Sequence, residues 1–409
     1  MQTYCLEEQP HHYYLFCTQG IALTMESLSL SQARKLALLS QGLPTSTQKG
    51  SAYEKTLNVF EQLGYVQIDT ISVVQRAHHH TLWSRNLSYQ PHHLEQLVAN
   101  KKVFEYWSHA AAYLPMKHYR YTLPRKAAIK SGEQRHWYCK DRQLMRSVLR
   151  RIEEEGPLMA KDFESKVNKT DGWNTKPTKR ALENLYMQGD LMIAERRGFQ
   201  KVYDLTARVL PLETETTMPT AQEYGRFLVM SYLNAHGFGS LAEMVYQLKD
   251  VRGMVKQALH DLEAMQKITK VKIGSGEYYV CIKALELVNK RLNRKRAKIL
   301  SPFDNLLIQR KRASGIFNFD YLIECYVPKE KRQFGYFCLP ILWNGQLVAR
   351  ADCKVDKNHS RLDVLHLFTE ANLKDKATFL TALEQELQAF AIFNQCHNFT
   401  IHNHSENVS

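Results

Sequence analysis

The chain has 409 residues, enough for two to four domains, and its hydrophobic fraction of 44% is that of an ordinary globular protein. No apolar run reaches the length of a membrane span. Lysine and arginine outnumber aspartate and glutamate by 55 to 41, and the resulting net charge of +14 favours a polyanionic partner, nucleic acid before an acidic membrane surface. The eight cysteines are scattered without a CxxC pair, which indicates reduced thiols in a cytoplasmic protein.

The N-terminal part of the sequence contains an extension followed by two helices. We expect residues 1–27 to be a poorly ordered extension, with Met25 just before a well-formed helix start. Ser29 is a helix-capping residue, and Gly42 is placed to end that first helix. A second amphipathic helix is predicted over residues 53–63.

The stretch that follows the second helix combines β-branched residues with two polar side chains. Val66 and Ile68 alternate with Gln67 and Asp69. In an extended strand, the amide and the carboxylate would project from the face opposite the apolar pair, where they could hold and activate a water molecule. Alternatively, Asp69 caps a helix that begins near Ile71. The pattern alone leaves both interpretations open.

Histidine runs in this region suggest a metal site, but their context argues against one. His78–His80 and His92–His93 are adjacent residues, and neighbours in a strand point to opposite faces. Neither an HExxH motif nor a facing cysteine accompanies them, so we expect no bound metal. A helix is predicted over residues 91–99 and a buried aromatic segment over residues 104–112.

From residue 141 onward, a supersecondary pattern occurs twice. Each copy reads as helices followed by a two-stranded hairpin, which is typical of the winged helix-turn-helix. Gly274 and Gly276 mark the second hairpin turn and not a phosphate-binding loop, because no GK[ST] follows. The first hundred residues could be a third copy. The predicted elements are helices 142–154 and 176–188 with hairpin 191–205, then helices 221–236, 241–248 and 251–265 with hairpin 268–280.

The C-terminal part is rich in predicted strands and basic clusters. Strands over 318–327 and 333–342 flank a basic loop at 328–332, and a small barrel or sandwich is expected. Three basic clusters together favour a surface that follows phosphates. Further strands over 346–354 and 361–368 precede a final helix over 376–393, and the basic clusters lie at 289–298, 310–312 and 329–332.

Several dispersed motifs occur along the chain: Gln67-Ile68-Asp69, Arg76 and His78, Ser84-Arg85, Glu105 to His109, Leu300 to Asp304, Arg310 to Arg312, and Glu324 to Pro340. Together they resemble the AlkZ/YcaQ family of winged-helix DNA glycosylases. Asp69, at the third position of the tripeptide, is similar to the YcaQ (AlkX) branch, while Ala110 stands where the family pattern has glutamate. The resemblance covers nearly the whole chain.

The resemblance implies an α+β fold with three tandem winged-helix domains and a small C-terminal β-barrel-like domain around a C-shaped DNA channel. The first winged-helix-like domain would carry the catalytic tripeptide. The implied domains are 28–140, 141–210, 220–298 and 299–409.

The resemblance also implies a monofunctional DNA glycosylase that removes alkylated purines, chiefly N7-alkylguanine, and unhooks interstrand crosslinks. Its partner would be double-stranded DNA with alkylated or crosslinked purines, bound by a monomer in the cytoplasm at the nucleoid, with neither a cofactor nor a membrane. The implied catalytic residues are Asp69 and Gln67. The implied second set, around the pocket, is Thr70, Arg76, His78, Ser84, Arg85, Trp107 and His109. The implied DNA-binding residues are Arg196, Arg197, Arg310, Arg312, Lys329, Lys331 and Arg332.

Two other classes of function fit the helices and hairpins by themselves. A winged-helix transcriptional regulator would bind one sequence and usually dimerise, although the chain contains no heptad run. A non-catalytic protein that binds DNA structures is the third class. Formation of an abasic site separates the glycosylase from both.

Overall fold

The computed structural model describes residues 26–44, 49–135, 137–163 and 177–408. The predicted N-terminal extension therefore lies almost entirely outside the described residues. Among the described helices, none is long and apolar enough to cross a membrane.

The first described elements belong to a unit that lies far along the chain. A short strand, β1 (Ser27–Leu28), precedes a helix, α1 (Leu30–Ser40). Ser29 caps this helix and forms a capping box with Gln32, so the predicted helix start is confirmed. β1 pairs in parallel with residues 272–273 of a later hairpin. The N-terminal strand and helix thus extend that hairpin's sheet and core.

Residues 52–115 form a first repeat with the order helix, short strand, two helices and hairpin. Ser51 caps the first helix in a capping box with Glu54. Gly64, at a φ of +75°, ends the same helix in the left-handed conformation that glycine adopts without strain. The short strand pairs antiparallel with the second hairpin strand. The elements are α2 (Ala52–Leu63), β2 (Val66–Gln67), α3 (Ala77–Trp83), α4 (Pro91–Ala99), β3 (Val103–Trp107) and β4 (Ala111–Pro115).

A second repeat follows the connecting helix α5 (Leu123–Ser131). Asp141 caps its first helix by accepting the backbone N–H of Leu144. Its hairpin turns at Gly198, which confirms the predicted turn. Residues 164–176 lie outside the described part. The elements are α6 (Arg142–Glu155), β5 (Leu158–Met159), α7 (Pro177–Met187), β6 (Leu191–Arg197), β7 (Gln200–Leu205) and the short helix α8 (Thr206–Val209).

The third repeat has the same order and the same pairing of its short strand with the second hairpin strand. Thr220 and Glu223 form a capping box, and Gly237 ends the helix, so this helix has its predicted bounds. The helix predicted over 241–248 shortens to a single turn. The elements are α9 (Ala221–His236), β8 (Phe238–Gly239), α10 (Leu241–Met244), α11 (Arg252–Ala264), β9 (Ile268–Ile273) and β10 (Gly276–Cys281).

The C-terminal part is a sheet curled into a half-barrel, with a long helix packed against it. The strand order is β11-β12-β13-β14-β15, and β16 also pairs with β14. The turn at Asn344-Gly345 and the final helix are confirmed, whereas the last two strands were not predicted. The elements are β11 (Lys298–Ile299), α12 (Arg310–Phe317), β12 (Cys338–Trp343), β13 (Gln346–Asp356), β14 (Arg361–Glu370), α13 (Lys376–Phe393), β15 (Asn398–Ile401) and β16 (His404–Val408).

The strands predicted over 318–327 and on the N-terminal side of 338 are wrong. Residues 318–337 form an irregular loop, which we call the Glu324 loop. The Glu324 carboxylate accepts backbone N–H bonds from Gln333, Phe334 and Gly335 at 2.7–3.0 Å. Since a side chain takes the hydrogen bonds that a ladder would need, the β-branched and aromatic residues here do not form a hairpin.

A buried ion pair joins the first repeat to the C-terminal part. Nη1 and Nη2 of Arg85 lie 2.7 and 2.9 Å from the two carboxylate oxygens of Asp304. The side chains are only 1% and 0% exposed. Arg85 also donates to the backbone and side-chain oxygens of Gln41, and Nη1 lies 3.2 Å from Ser84 Oγ. Arg85 therefore connects three parts of the chain.

Replacing Arg85 should destabilise the whole fold. Arg85→Met leaves the Asp304 carboxylate buried without its cation, so we expect the free energy of unfolding to fall by about 3–5 kcal/mol in urea denaturation. The control is Lys117→Met, which removes an exposed pair with Glu61. That change should stay within about 1 kcal/mol. Equal losses in the two variants would contradict a structural role for the buried pair.

Candidate active site

The segment with the predicted tripeptide is extended where it joins the sheet. Gln67 is the last residue of β2, and the next backbone N–H, that of Ile68, donates to Ala111 O at 2.8 Å. Val66 and Ile68 are buried in the core. The alternative interpretation, in which Asp69 caps a helix, is wrong because α3 begins only at Ala77.

Gln67 is held by a histidine from the turn of the β3–β4 hairpin. Nε2 of His109 lies 2.9 Å from Oε1 of Gln67. Burial lowers the pKa of His109 to about 4, so the ring is neutral near pH 7. A neutral ring protonated on Nε2 donates to the amide oxygen, which leaves the Gln67 amide N–H groups for another partner. Ala110 lies beside His109 in the hairpin turn, where its carbonyl accepts the N–H of Ser108.

Asp69 is a half-buried carboxylate in the loop after β2. Its Oδ1 accepts the backbone N–H of Ile71 at 2.8 Å. Burial raises the pKa of Asp69 above the usual carboxyl value, and the backbone N–H groups of Ile71 and the exposed Thr70 oppose this rise. A carboxylate with a raised pKa is a better proton acceptor than one in free solvent.

Cys325 of the Glu324 loop packs against the core cluster that contains Ile68, the neighbour of Asp69. Burial first, and then the negative charge of Asp69, raises the pKa of Cys325 and of Tyr326. Tyr326 is 71% exposed. Leu322, also in this loop, is 61% exposed. Local sequence patterns do not predict this proximity, because Cys325 lies more than 250 positions from Asp69.

The loop is held by two carboxylates and one glycine. Besides Glu324, Asp352 accepts the backbone N–H groups of Tyr336 and Phe337. Gly335 has a φ of +126°, and a Cβ there would lie 2.1 Å from an Asp352 oxygen. Only glycine fits at this position, so the loop conformation is fixed by contacts and not by a ladder.

Two predicted pocket residues lie against the hairpin of the second repeat. The Arg76 guanidinium is 4.2 Å from the centre of the Phe199 ring, and His78 stacks on the same ring at 6.2 Å. The guanidinium of Arg196 lies 4.4 Å from the centre of the same Phe199 ring. Burial holds the pKa of His78 well below its ordinary value, so its ring is neutral. His78 and its neighbours lie in the helix α3, not in a strand as the sequence argument assumed.

The structure brings only some of the predicted residues together. Gln67, Asp69 and His109 share one region, and Trp107 lies nearby in β3 with its ring 4.8 Å from that of Trp137. Ser84 and Arg85 are buried with Asp304. Within the described residues, no group of three or more histidine, cysteine, aspartate or glutamate side chains could hold a metal ion.

The predicted DNA-binding cations fall into a bound set and an exposed set. Arg196 forms a bidentate pair with Glu105 at 2.8 Å, and the buried Arg312 pairs with Glu243 at 3.1 Å. Because these guanidinium groups connect parts of the chain, they are poorly placed to contact phosphates. Arg310 likewise donates to backbone carbonyls. The more exposed set consists of Arg197, Lys329, Lys331 and the half-buried Arg332. Of these, Arg197 pairs with Glu195.

Comparisons with known proteins give the family. A family model described as DNA glycosylase AlkZ-like matches residues 60–393, which contain Gln67, Asp69 and the Glu324 loop. Among solved structures, the DNA glycosylase AlkZ of Streptomyces sahachiroi has a similar fold, with a TM-score of 0.65 at 16% sequence identity. The match covers 92% of this chain and 100% of that chain.

Removing the central acceptor of the Glu324 loop should loosen it. In Glu324→Gln, one amide oxygen replaces two charged oxygens, and the amide N–H₂ faces backbone donors. We expect trypsin to cleave after Lys329, Lys331 or Arg332 at least about tenfold faster than in the wild type, because the loop opens locally. Mass spectrometry of early fragments locates the cuts. Glu330→Gln, in the exposed part of the same loop, is the control, and equal cleavage in both variants would remove this role from Glu324.

Proposed function

Because the chain belongs to the AlkZ-like DNA glycosylase family and is therefore a glycosylase, we propose that it hydrolyses the N-glycosidic bond of alkylated purines, chiefly N7-alkylguanine. We include purines that form interstrand crosslinks among its substrates. The observation that supports this proposal best is the half-buried Asp69 carboxylate beside an amide held by His109.

The chemistry of the proposed substrate suits a site with one carboxylate. An N7-alkylated guanine is already cationic, so its departure needs no general acid. Asp69 takes a proton from water as the oxygen attacks C1′, the bond from C1′ to the base breaks, and the base leaves as a neutral molecule. The amide of Gln67 positions the water, and the negative charge of Asp69 offsets the positive charge that develops on the sugar. The stretch from Gly64 to Arg76 contains no lysine for a Schiff base, so no lyase step is expected.

We interpret the three repeats as tandem winged-helix units around a DNA channel. Each has a hairpin whose second strand pairs with a short strand between the helices, which is the order of a winged helix. An open channel suits a crosslinked base, because such a base cannot swing freely out of the duplex. The transcriptional regulator remains the alternative, and it predicts binding without an abasic product.

The central test is excision from duplex DNA with a single N7-methylguanine. We expect wild-type protein to form abasic sites that alkali cleaves. Asp69→Asn should keep DNA affinity and fold but lose about 10²–10⁴ in rate, because the amide cannot accept the proton. Gln67→Ala should lose less, since it removes only the positioning of water.

A pH profile distinguishes loss of the base from loss of structure. Activity should fall as pH decreases through the raised pKa of Asp69, because protonation removes the acceptor. The acidic decline should therefore occur above the pH of an ordinary carboxyl group, and Asp69→Asn should lack it. If Asp69→Asn excised the base at a near wild-type rate, Asp69 would have only a structural role, as acceptor of the hydrogen bond from the Ile71 N–H.

We further propose that the Glu324 loop contacts DNA near the lesion. Its exposed Lys329 and Lys331 suit phosphate contacts. Arg332 is positioned at the loop base, where its Nε donates to Val327 O at 2.8 Å and its guanidinium lies 4.9 Å from the Tyr336 ring. These cations are held in position by a loop whose backbone N–H groups bind Glu324 and Asp352, and not by the two strands that the sequence predicted.

Replacing Lys329, Lys331 and Arg332 by alanine should impair crosslink unhooking more than monoadduct excision. A tethered duplex resists distortion, so its reaction depends more on contact energy outside the reacting base. The measurement is the ratio of the two rates in the triple variant and the wild type. The exposed Lys354, Lys357 and Lys374, changed together to alanine, provide a control for the loss of three charges. An equal fall in both rates would make the loop a general electrostatic surface.

A further inference from the structure

The aromatic rings of the Glu324 loop differ in what covers them. Residues 318–337 contain six aromatic side chains. Four of these rings lie beside a guanidinium group, whose central carbon is 4.1–4.9 Å from the ring centre. A fifth ring, that of Phe337, is buried in the core. The four covered rings and their cations are Phe319 and Phe334 with Arg350, Tyr321 with Arg310, and Tyr336 with Arg332.

Tyr326 carries the sixth ring, and this ring is open. It is 71% exposed, and among the described residues neither a cation nor another aromatic ring is stacked on it. Tyr326 ends a single turn of 3₁₀ helix, Glu324–Tyr326, in which the Val327 N–H donates to Glu324 O at 2.9 Å. Because this turn is already ordered, a contact between the ring and a ligand would cost little backbone entropy.

The packing beneath the turn brings Tyr326 close to Asp69. Ile323 belongs to the core cluster that contains Ile68, and Cys325 packs against the same cluster. The electrostatics agree with this placement, since burial first and then the charge of Asp69 raise the pKa of Tyr326. A base that is removed at Asp69 is bonded to the carbon that the water attacks, so the base itself would lie within reach of the open ring.

The face of a tyrosine ring attracts positive charge, because its π electrons give that face a negative potential. An N7-alkylated guanine is a planar ring system that carries a positive charge, whereas unmodified guanine is neutral. The loop covers its other accessible rings with its own guanidinium groups, and the ring of Tyr326 is left for a cation from outside the chain. A cationic purine has the shape and the charge to occupy this face.

From these contacts, we propose that Tyr326 recognises the damaged base by stacking its open ring on the cationic purine, and that it is a specificity-determining residue for the charge of the lesion. This inference rests on the proposed function and deepens it by naming the group that recognises the charge. As the bond to the base breaks, the positive charge moves toward the sugar. Loss of the contact should therefore weaken binding more than it slows the chemical step.

The test compares the binding of two duplexes that differ in the charge of one base. One contains N7-methylguanine and the other contains 7-deaza-7-methylguanine, which has the same shape but is neutral, and a 2′-fluorine on both nucleotides suppresses excision. We expect the wild type to bind the cationic base more tightly. Tyr326→Leu should reduce the ratio of the two Kd values by about threefold or more, whereas Tyr326→Phe should keep it.

A series of fluorinated rings separates attraction to charge from simple packing. Fluorine withdraws electron density from the ring face, so Tyr326→3,4,5-trifluorophenylalanine should lower the Kd ratio although the ring remains. In single-turnover excision of N7-methylguanine on ordinary deoxyribose, Tyr326→Leu at saturating protein should stay within about threefold of the wild-type rate. Leu322→Ala is the matched control, because Leu322 is also exposed on the Glu324 loop, at 61%, and carries no π electrons. It should leave the Kd ratio unchanged.

Three results would overturn the inference and leave the proposed function intact. These are an unchanged Kd ratio in Tyr326→Leu, an equal fall of the ratio in Leu322→Ala, and a trifluorinated ring that behaves like phenylalanine. Failure of the wild type to excise N7-methylguanine from ordinary duplex DNA would instead overturn the proposed function.

Discussion

The arrangement of the candidate active site depends on the buried pair between Arg85 and Asp304. Desolvation makes such a pair unfavourable unless nearly every donor and acceptor is satisfied. Here Arg85 also donates to Gln41 and to Thr81 O, while Asp304 Oδ1 accepts the N–H of Leu306. Because these bonds form only in one relative position of the parts, they determine how the first repeat faces the C-terminal sheet. Asp69 belongs to the first repeat, and the Glu324 loop belongs to the C-terminal part, so the junction between these parts sets how the two face each other.

The same use of charge inside the protein changes how its basic composition should be interpreted. Arg196 with Glu105, Arg312 with Glu243, and Lys298 with Glu386 are pairs of opposite charge with at least one buried member. Each pair is neutral and contributes almost nothing to the field at a distance. The surplus of +14 must therefore come from other cations, and only some sequence clusters supply them. The clustering of basic residues along the sequence is thus a poorer guide to a basic surface than knowledge of which of them form ion pairs with carboxylates.

Local signals made much of the fold predictable. Pro91 at the start of α4, the capping box of Thr220 with Glu223, and Gly237 after α9 determine helix ends from neighbouring residues alone. The Glu324 loop was not predictable in this way, because its β-branched residues favour a strand until Glu324 binds backbone groups nine to eleven positions later. The pairing of β1 with β9 likewise depends on a contact between distant segments.

The candidate site shows the same division. The resemblance identified Gln67, Asp69 and His109, but the bond between Gln67 and His109 joins residues 42 positions apart and follows only from the hairpin. Local sequence patterns also did not predict that Tyr326 lies near Asp69. Sequence patterns therefore name several residues of the site but not the long-range contacts between them, such as the bonds that Glu324 accepts from distant backbone N–H groups.

If Asp69 is the base, its partial burial also bears on the choice of lesion. DNA bound over Asp69 would remove more water and raise its pKa further, which favours the protonated and inactive carboxyl group. A cationic N7-alkylguanine opposes that rise, because a nearby positive charge stabilises the carboxylate, whereas an unmodified guanine is neutral and does not. The damaged base would then help to keep the carboxylate in the form that its own removal requires. Selectivity would follow from the charge of the lesion together with the burial of Asp69, without a tight pocket around the base.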